Sequence, residues 1–138
     1  MLVGKYNSEG YPDPTPYLAL NKEKRWLRAF RPIVYICSPY SGAVEANTRK
    51  ARSYCRFAVE QGYIPIAPHL LFPQFLDDND EAERKLGLFF GTAIMSRCSE
   101  IWVFGDKPTH GMRSEIKRAV WKNYRIRFFT EDMKEVKK

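Results

Sequence analysis

The feature that most constrains the fold is a regular alternation of short apolar runs with longer amphipathic segments. The runs are rich in β-branched and aromatic residues, as buried parallel strands are. They occupy residues 33–38, 63–68, 100–105 and 125–129. Between them, apolar residues recur at helical spacing over about 44–61, 81–98 and 112–122. Strands that alternate with helices predict a mostly parallel sheet with helices on both faces.

The alternation predicts an α/β fold, a flavodoxin/Rossmann-like three-layer sandwich in one domain. A length of 138 residues suits a single domain. Residues 1–31 form a predicted N-terminal arm, because closely spaced prolines and Gly10 forbid a regular helix at its start. Residues 32–130 form the predicted α/β domain, and residues 131–138 a polar tail. The prolines in 63–68 predict a strand that lies near an edge or ends early. Residues 69–80 are a predicted loop, and Asp80 or a neighbour is a candidate helix cap.

Composition excludes several classes of protein. With 44% apolar and 28% charged residues, the chain is globular in type. No apolar run approaches the roughly 20 residues that a membrane helix needs, so no membrane partner is expected. The three cysteines are widely spaced and odd in number, which disfavours a disulfide framework or a zinc site. A cytoplasmic location is therefore expected, with no metal and no cofactor.

The net charge of +7 raises the possibility of a nucleic-acid partner. Its largest concentration is at 111–129, where six basic residues accompany one acidic residue, and the rest is spread over several segments. A solvated basic face is one interpretation, and attraction to phosphate-bearing molecules or polyanions is the other. The spread makes nucleic acid the less favoured partner.

Ligands of such sheets bind beyond the carboxyl ends of the strands. Three segments lie there: SPYSG (38–42), APHLLFPQF (67–75) and FGDKPTHGM (104–112). In the first, Ser38 and Ser41 offer hydroxyls, Tyr40 offers a flat ring, and backbone amides near the helix start can hold an anion. The segment lacks the G-x-G-x-x-G fingerprint and is otherwise an ordinary tight turn.

Asn47 and His69 each have two interpretations. Helical spacing places Asn47 inward near a helix start, where it either braces the preceding loop or faces a ligand. His69 follows the second strand, where it either has a structural role or contacts substrate and acts as a general acid.

Glu115 is the residue whose position in the sequence is most informative about a catalytic role. It falls three residues after Met112 and four before Ala119, at the border of an apolar stripe and in the expected first turn of a helix. The helix dipole favours its ionised form and partial burial opposes it. Such a carboxylate either acts as a nucleophile or only satisfies the helix dipole.

The body from Pro32 to Phe129 resembles the nucleoside 2-deoxyribosyltransferase-like superfamily, and within it an uncharacterised phage and bacterial branch. The resemblance is carried by VYICSPYSG (34–42), Asn47, GYIPIAPHLLFPQFLDD (62–78), CSEIWVFGD (98–106) and GMRSEIKRA (111–119). It implies an N-glycosidic-bond hydrolase or transferase that acts on a (deoxy)nucleoside or nucleoside 5′-monophosphate, with Glu115 attacking C1′. It also implies a homo-oligomer, to which the aromatic residues of the arm could contribute.

The resemblance and the loop positions together define a predicted site. Its catalytic residue is Glu115, and its substrate-binding residues are Ser38, Tyr40, Ser41, Gly42, Asn47, His69, Asp106, Gly111 and Met112. Two carboxylates that the resemblance leads one to expect are replaced by Gly91 and Ser99, so proton donation to the leaving base would pass to His69, His110 or Asp106. The alternative is a non-catalytic nucleotide-binding or sensing module with a degenerate active site.

Overall fold

The computed structural model describes residues 30–137. Nearly all of the predicted arm, with its aromatic residues, lies outside the described residues. The elements run in the order β1 (Ile33–Cys37), α1 (Val44–Glu60), β2 (Ile64–Ile66), α2 (Pro68–Leu71), a 3-10 turn (Phe72–Gln74), α3 (Glu81–Met95), β3 (Glu100–Phe104), α4 (His110–Trp121), β4 (Ile126–Phe129) and β5 (Glu135–Val136).

The five strands form one sheet in the order β2-β1-β3-β4-β5. The first four strands are parallel, and β5 pairs antiparallel with β4 through Phe128–Val136 and Phe129–Glu135. The predicted α/β class with a mostly parallel sheet is confirmed. β2 lies at an edge, as its proline predicts.

Alternation along the strands divides the core into two layers. One face of the sheet packs against α1, and its buried residues are Val34, Ile36, Tyr54, Ala58, Ala67, Trp102, Phe104 and Phe129. The other face packs against α3 and α4, and its buried residues are Tyr35, Cys37, Met95, Ile101, Val103, Met112 and Ala119. Helices therefore cover both faces of a central sheet, which is the three-layer arrangement.

Several boundaries differ from the sequence prediction. The predicted loop at 69–80 begins with α2 and the 3-10 turn, because Pro68 and Pro73 stand at first-turn positions where a missing N–H costs nothing. The predicted polar tail contains β5. Arg127 holds this strand through a bidentate salt bridge to Glu135. Asp80 caps α3 as predicted, accepting a hydrogen bond from the Ala82 amide.

Candidate functional site

The strand order places a switch point between β1 and β3. From β1 the chain proceeds to β2 on one side, and it then crosses to β3 on the other side of β1. Adjacent loops therefore diverge at the carboxyl ends of β1 and β3, and a crevice opens where open α/β sheets bind ligands. The segment after β1 begins at Ser38, and the segment after β3 begins at Gly105.

Glu115 reaches from α4 onto the face of β1. The Tyr35 hydroxyl donates a hydrogen bond to its Oε2, and the Cys37 thiol donates to its Oε1 at 3.4 Å. Tyr35 and Cys37 are two positions apart on one strand, so their side chains lie on the same face. Each carboxylate oxygen thus has its own donor, which fixes the orientation of the carboxylate.

Burial controls the ionisation of this group. Desolvation raises the pKa of Glu115, and the hydrogen bonds from Tyr35 and Cys37 offset that rise only in part. Burial and the neighbouring Glu115 also raise the pKa of the Tyr35 hydroxyl and of the Cys37 thiol, so both remain protonated donors at neutral pH.

The helix dipole contributes less than the sequence predicts. α4 begins at His110, two residues before the expected start, so Glu115 lies in the second turn. The dipole acts mainly within the first turn. The expectation that Glu115 stands in the first turn is therefore wrong. Burial and the hydrogen bonds from Tyr35 and Cys37 control the pKa of its carboxyl group.

Ser38 and His69 form a second polar pair near the ends of β1 and β2. Ser38 Oγ lies 2.9 Å from His69 Nε2, and the Tyr40 ring meets the imidazole edge-on with centroids 6.2 Å apart. Burial lowers the pKa of His69 to about 4, so the ring is neutral at neutral pH. A neutral imidazole has one donor and one acceptor nitrogen, and this hydrogen bond can carry a proton in either direction.

Asn47 braces the turn that follows β1. Its Nδ2 donates to the carbonyl oxygens of Tyr40 and Ser41, both at 3.1 Å. Gly42 completes the turn with φ +91°, a conformation that L side chains rarely adopt. Of the two interpretations of Asn47, the structure shows the bracing role. Ser41 itself is exposed.

A cavity of about 280 Å³ opens at the switch point on the α1 side. Its lining residues are Pro39, Asn47, Lys50, Tyr54, Gly105, Asp106, Lys107 and Glu131. It brings together the predicted residues Asn47 and Asp106. Glu115, in contrast, contacts side chains on the opposite face of the sheet, so the predicted residues divide between two sides of the crevice.

The remaining predicted residues lie at the start of α4. Gly111 is exposed, as is His110, whereas Met112 is 2% exposed and belongs to the core layer under α3 and α4. The Met112 amide donates to the Thr109 side chain, which caps the helix. Met112 therefore anchors the helix that carries Glu115.

The two positions that lack the expected carboxylates differ in location. A Cβ at position 91 would lie 3.4 Å from the Tyr35 hydroxyl oxygen and 4.0 Å from Pro68 Cβ, so a side chain there would point at the partner of Glu115. The Ser99 amide donates to the Ile33 carbonyl oxygen at 2.7 Å, at the amino end of the sheet. A carboxylate at position 99 would lie at the amino ends of the strands, whereas the crevice lies at their carboxyl ends.

Sequence reasoning missed Tyr35 and Cys37, because both stand inside an apolar run that indicates only a buried strand. The period of two along IVYICS contains the missing signal: it places a hydroxyl and a thiol on one face, next to a helix that carries a carboxylate.

Among residues 30–137, no cluster of three or more His, Cys, Asp or Glu side chains could hold a metal ion. Within the same range, every helix is too short or too polar to cross a bilayer.

Comparison with known proteins places the chain in a family. No curated protein matches it. A family model described as Domain of unknown function (DUF7768) matches residues 32–129, which include β1 to β4 and all of the helices between them. Because this match covers well over half of the 138 residues, the chain belongs to the DUF7768 family.

Proposed function

We propose that this protein cleaves or transfers the N-glycosidic bond of a (deoxy)nucleoside or nucleoside 5′-monophosphate, with Glu115 as the nucleophile. The observation that carries the proposal is the sheltered Glu115 carboxylate, whose two oxygens are held by Tyr35 and Cys37. A surface glutamate that only served the helix dipole would need neither donor. The resemblance to the nucleoside 2-deoxyribosyltransferase-like superfamily supports the same reaction class.

The proposed reaction proceeds in two displacements. A Glu115 oxygen attacks C1′, the C1′–N bond breaks, and the base leaves with the bonding electron pair while a sugar ester forms on Glu115. Water or the N–H of a second base then attacks C1′, the C1′–O ester bond breaks and frees the Glu115 carboxylate, and the attacking group gives up its proton to solvent. Positive charge develops on the sugar ring in both steps, so the fixed anion stabilises each transition state.

The leaving base needs a proton, and the Ser38–His69 pair is the proposed relay: the Ser38 hydroxyl passes its proton to the base and is reprotonated from solvent through the neutral imidazole. Its 2.9 Å hydrogen bond lies at the carboxyl end of the sheet, where a substrate would bind. Asp106 is a second candidate, because it lines the cavity at the switch point. His110, exposed at the start of α4, is the third.

Gly91 favours a second candidate function, a nucleotide-binding or sensing module without turnover. The absence of a side chain beside Tyr35 removes one carboxylate that the resemblance leads one to expect. In this case the crevice would bind a nucleotide and leave its glycosidic bond intact.

The test is a chromatographic assay for free base over deoxynucleosides, ribonucleosides and their monophosphates. We expect the wild type to release base from at least one of them, Glu115→Gln to lose at least 10³-fold in rate, and the exposed control Glu81→Gln to match the wild type. Equal rates in wild type and Glu115→Gln would reject the nucleophile. A ligand-induced rise in Tm without base release would establish the binding module instead.

A further inference from the structure

The outward face of α4 carries a row of basic side chains that ends in an exposed aromatic ring. Arg113, Lys117 and Trp121 recur every four residues, so they lie on one side of the helix at steps of about 6 Å. Arg113 and Lys117 are exposed, and 75% of Trp121 is open to solvent. The Lys122 ammonium lies 4.9 Å from the centre of the Trp121 ring.

Carboxylates are absent from this row. The single acidic residue of α4 is Glu115, which points into the fold. Within residues 30–137, no salt bridge involves Arg113, Lys117 or Lys122. The Arg113 Nη1 donates to the Pro108 carbonyl at 3.1 Å, which leaves most of its guanidinium donors open.

Helix α1 is basic as well, and it provides the contrast. Lys50 pairs with Glu131 and Arg56 pairs with Glu60, so carboxylates neutralise part of its charge. Its aromatic residues are turned inward: Tyr54 is 2% exposed, and Phe57 packs against the core. Net positive charge alone therefore does not produce the combination found on α4.

We propose that this row binds single-stranded nucleic acid. Arg113 and Lys117 would contact successive phosphates, and an unstacked base would lie on the Trp121 indole, with Lys122 adding positive charge beside it. Stacking on an aromatic side chain stabilises single-stranded complexes whatever the base, because every base has a flat aromatic face.

The chemistry of the row distinguishes this partner from two others. A duplex keeps its bases stacked inside the helix and would leave the indole face unused. A membrane surface would need a broad apolar face, whereas the large apolar residues that α4 itself exposes are Val120 and Trp121. This proposal goes beyond the glycosidic reaction and does not depend on it, since the row lies outside the Glu115 site.

The experiment is equilibrium binding of a fluorescent 12-nucleotide single strand at 50–300 mM salt. We expect Arg113→Glu/Lys117→Glu to weaken binding at least tenfold. It should also reduce the slope of log affinity against log salt concentration by about 1.4, since each lost phosphate contact on a single strand accounts for about 0.7. The matched control, Arg49→Glu/Arg52→Glu on exposed positions of α1, makes the same charge change and should weaken binding less than threefold. Trp121→Ala should weaken it about tenfold and Trp121→Phe much less.

The competing outcomes overturn the proposal. These are equal losses in row and control variants, no binding at 50 mM salt, equal affinity for a duplex of the same sequence, or binding only to anionic vesicles or to an acidic peptide. DNA and RNA versions of the strand identify the sugar preferred. Glu115→Gln should bind the strand as the wild type does, which separates this result from that of the base-release assay.

Discussion

The two faces of the sheet are built from the same strands and have opposite characters. On the α1 side, Phe104 is stacked between Tyr54 and Phe129, with ring centroids 4.1 and 4.9 Å away. On the α4 side, the neighbouring strand positions place a hydroxyl and a thiol against the Glu115 carboxylate. Alternation along a strand thus lets one face hold the fold together while the other holds polar groups in fixed positions.

The two faces also differ in where their buried polar groups lie and in the size of their core residues. The aromatic side meets polar groups mainly at its amino end, where the buried Glu100 accepts from Trp102 Nε1 at 2.8 Å and pairs with Arg127. The other side has smaller core residues, with Cys37, Val103 and Ala119 among them. Among them, Cys37 contacts the Glu115 carboxylate directly.

The largest expected effect comes from removing one aromatic ring from the α1 side of the sheet. Phe104→Ala should lower the free energy of unfolding by about 3–5 kcal/mol, because it empties the centre of the aromatic layer. Val103→Ala, the next residue on the opposite face, should cost less, about 1–3 kcal/mol. Urea unfolding measures both, and a greater loss in Val103→Ala would contradict the assignment of stability to the aromatic face.

The second test uses the acid sensitivity of the polar region. Burial lowers the pKa of His69 from 6.5 to about 4, so its contribution to stability is complete above pH 6.5 and is lost as the pH falls towards 4. The loss amounts to about 3 kcal/mol. His69→Gln should flatten the pH dependence of Tm in this window. A pH dependence in His69→Gln that matches the wild type would contradict the argument from the burial of the His69 ring.

The third test concerns the turn after β1. Asn47→Ala removes two hydrogen bonds to backbone carbonyls and should cost about 1–2 kcal/mol. Asn79→Ala in the exposed loop before α3 is the control and should cost less than about 0.5 kcal/mol. Faster amide hydrogen exchange at Tyr40–Gly42 in Asn47→Ala would confirm that the side chain holds this loop.

The smallest effect is a gain in stability. Burial raises the pKa of Glu115, so the folded state holds the proton more tightly, and stability is lost as the pH rises from 4.5 through the raised pKa. Glu115→Gln keeps an acceptor for Tyr35 and carries no charge. Its Tm should therefore exceed the wild-type value by a few degrees at pH 8, and the difference should shrink towards pH 4.5. A lower Tm at pH 8 would contradict the desolvation argument.

Local pattern predicted most of the fold and only part of the site. The four parallel strands, the cap at Asp80 and the edge position of β2 follow from residue types along the chain. β5 does not, because two residues acquire strand geometry only by pairing with β4 and through the Arg127–Glu135 bond.

The contacts of Glu115, like β5, depend on residues that are distant in the sequence. Tyr35 and Glu115 are 80 positions apart, so their contact depends on how α4 lies across β1. The composition of β1 indicates burial and says nothing of a polar partner. The division of the predicted residues between two sides of the crevice likewise follows from packing, which spacing along the chain does not encode.

The ends of the sheet have a consequence for association between molecules. The outermost strand on one side, β2, has three residues with Pro65 at its centre, and proline has no N–H to donate. On the other side, β5 offers only Glu135 and Val136. Among residues 30–137, neither side of the sheet presents a long ladder of open backbone groups, so this sheet offers a neighbouring chain no template for cross-β pairing.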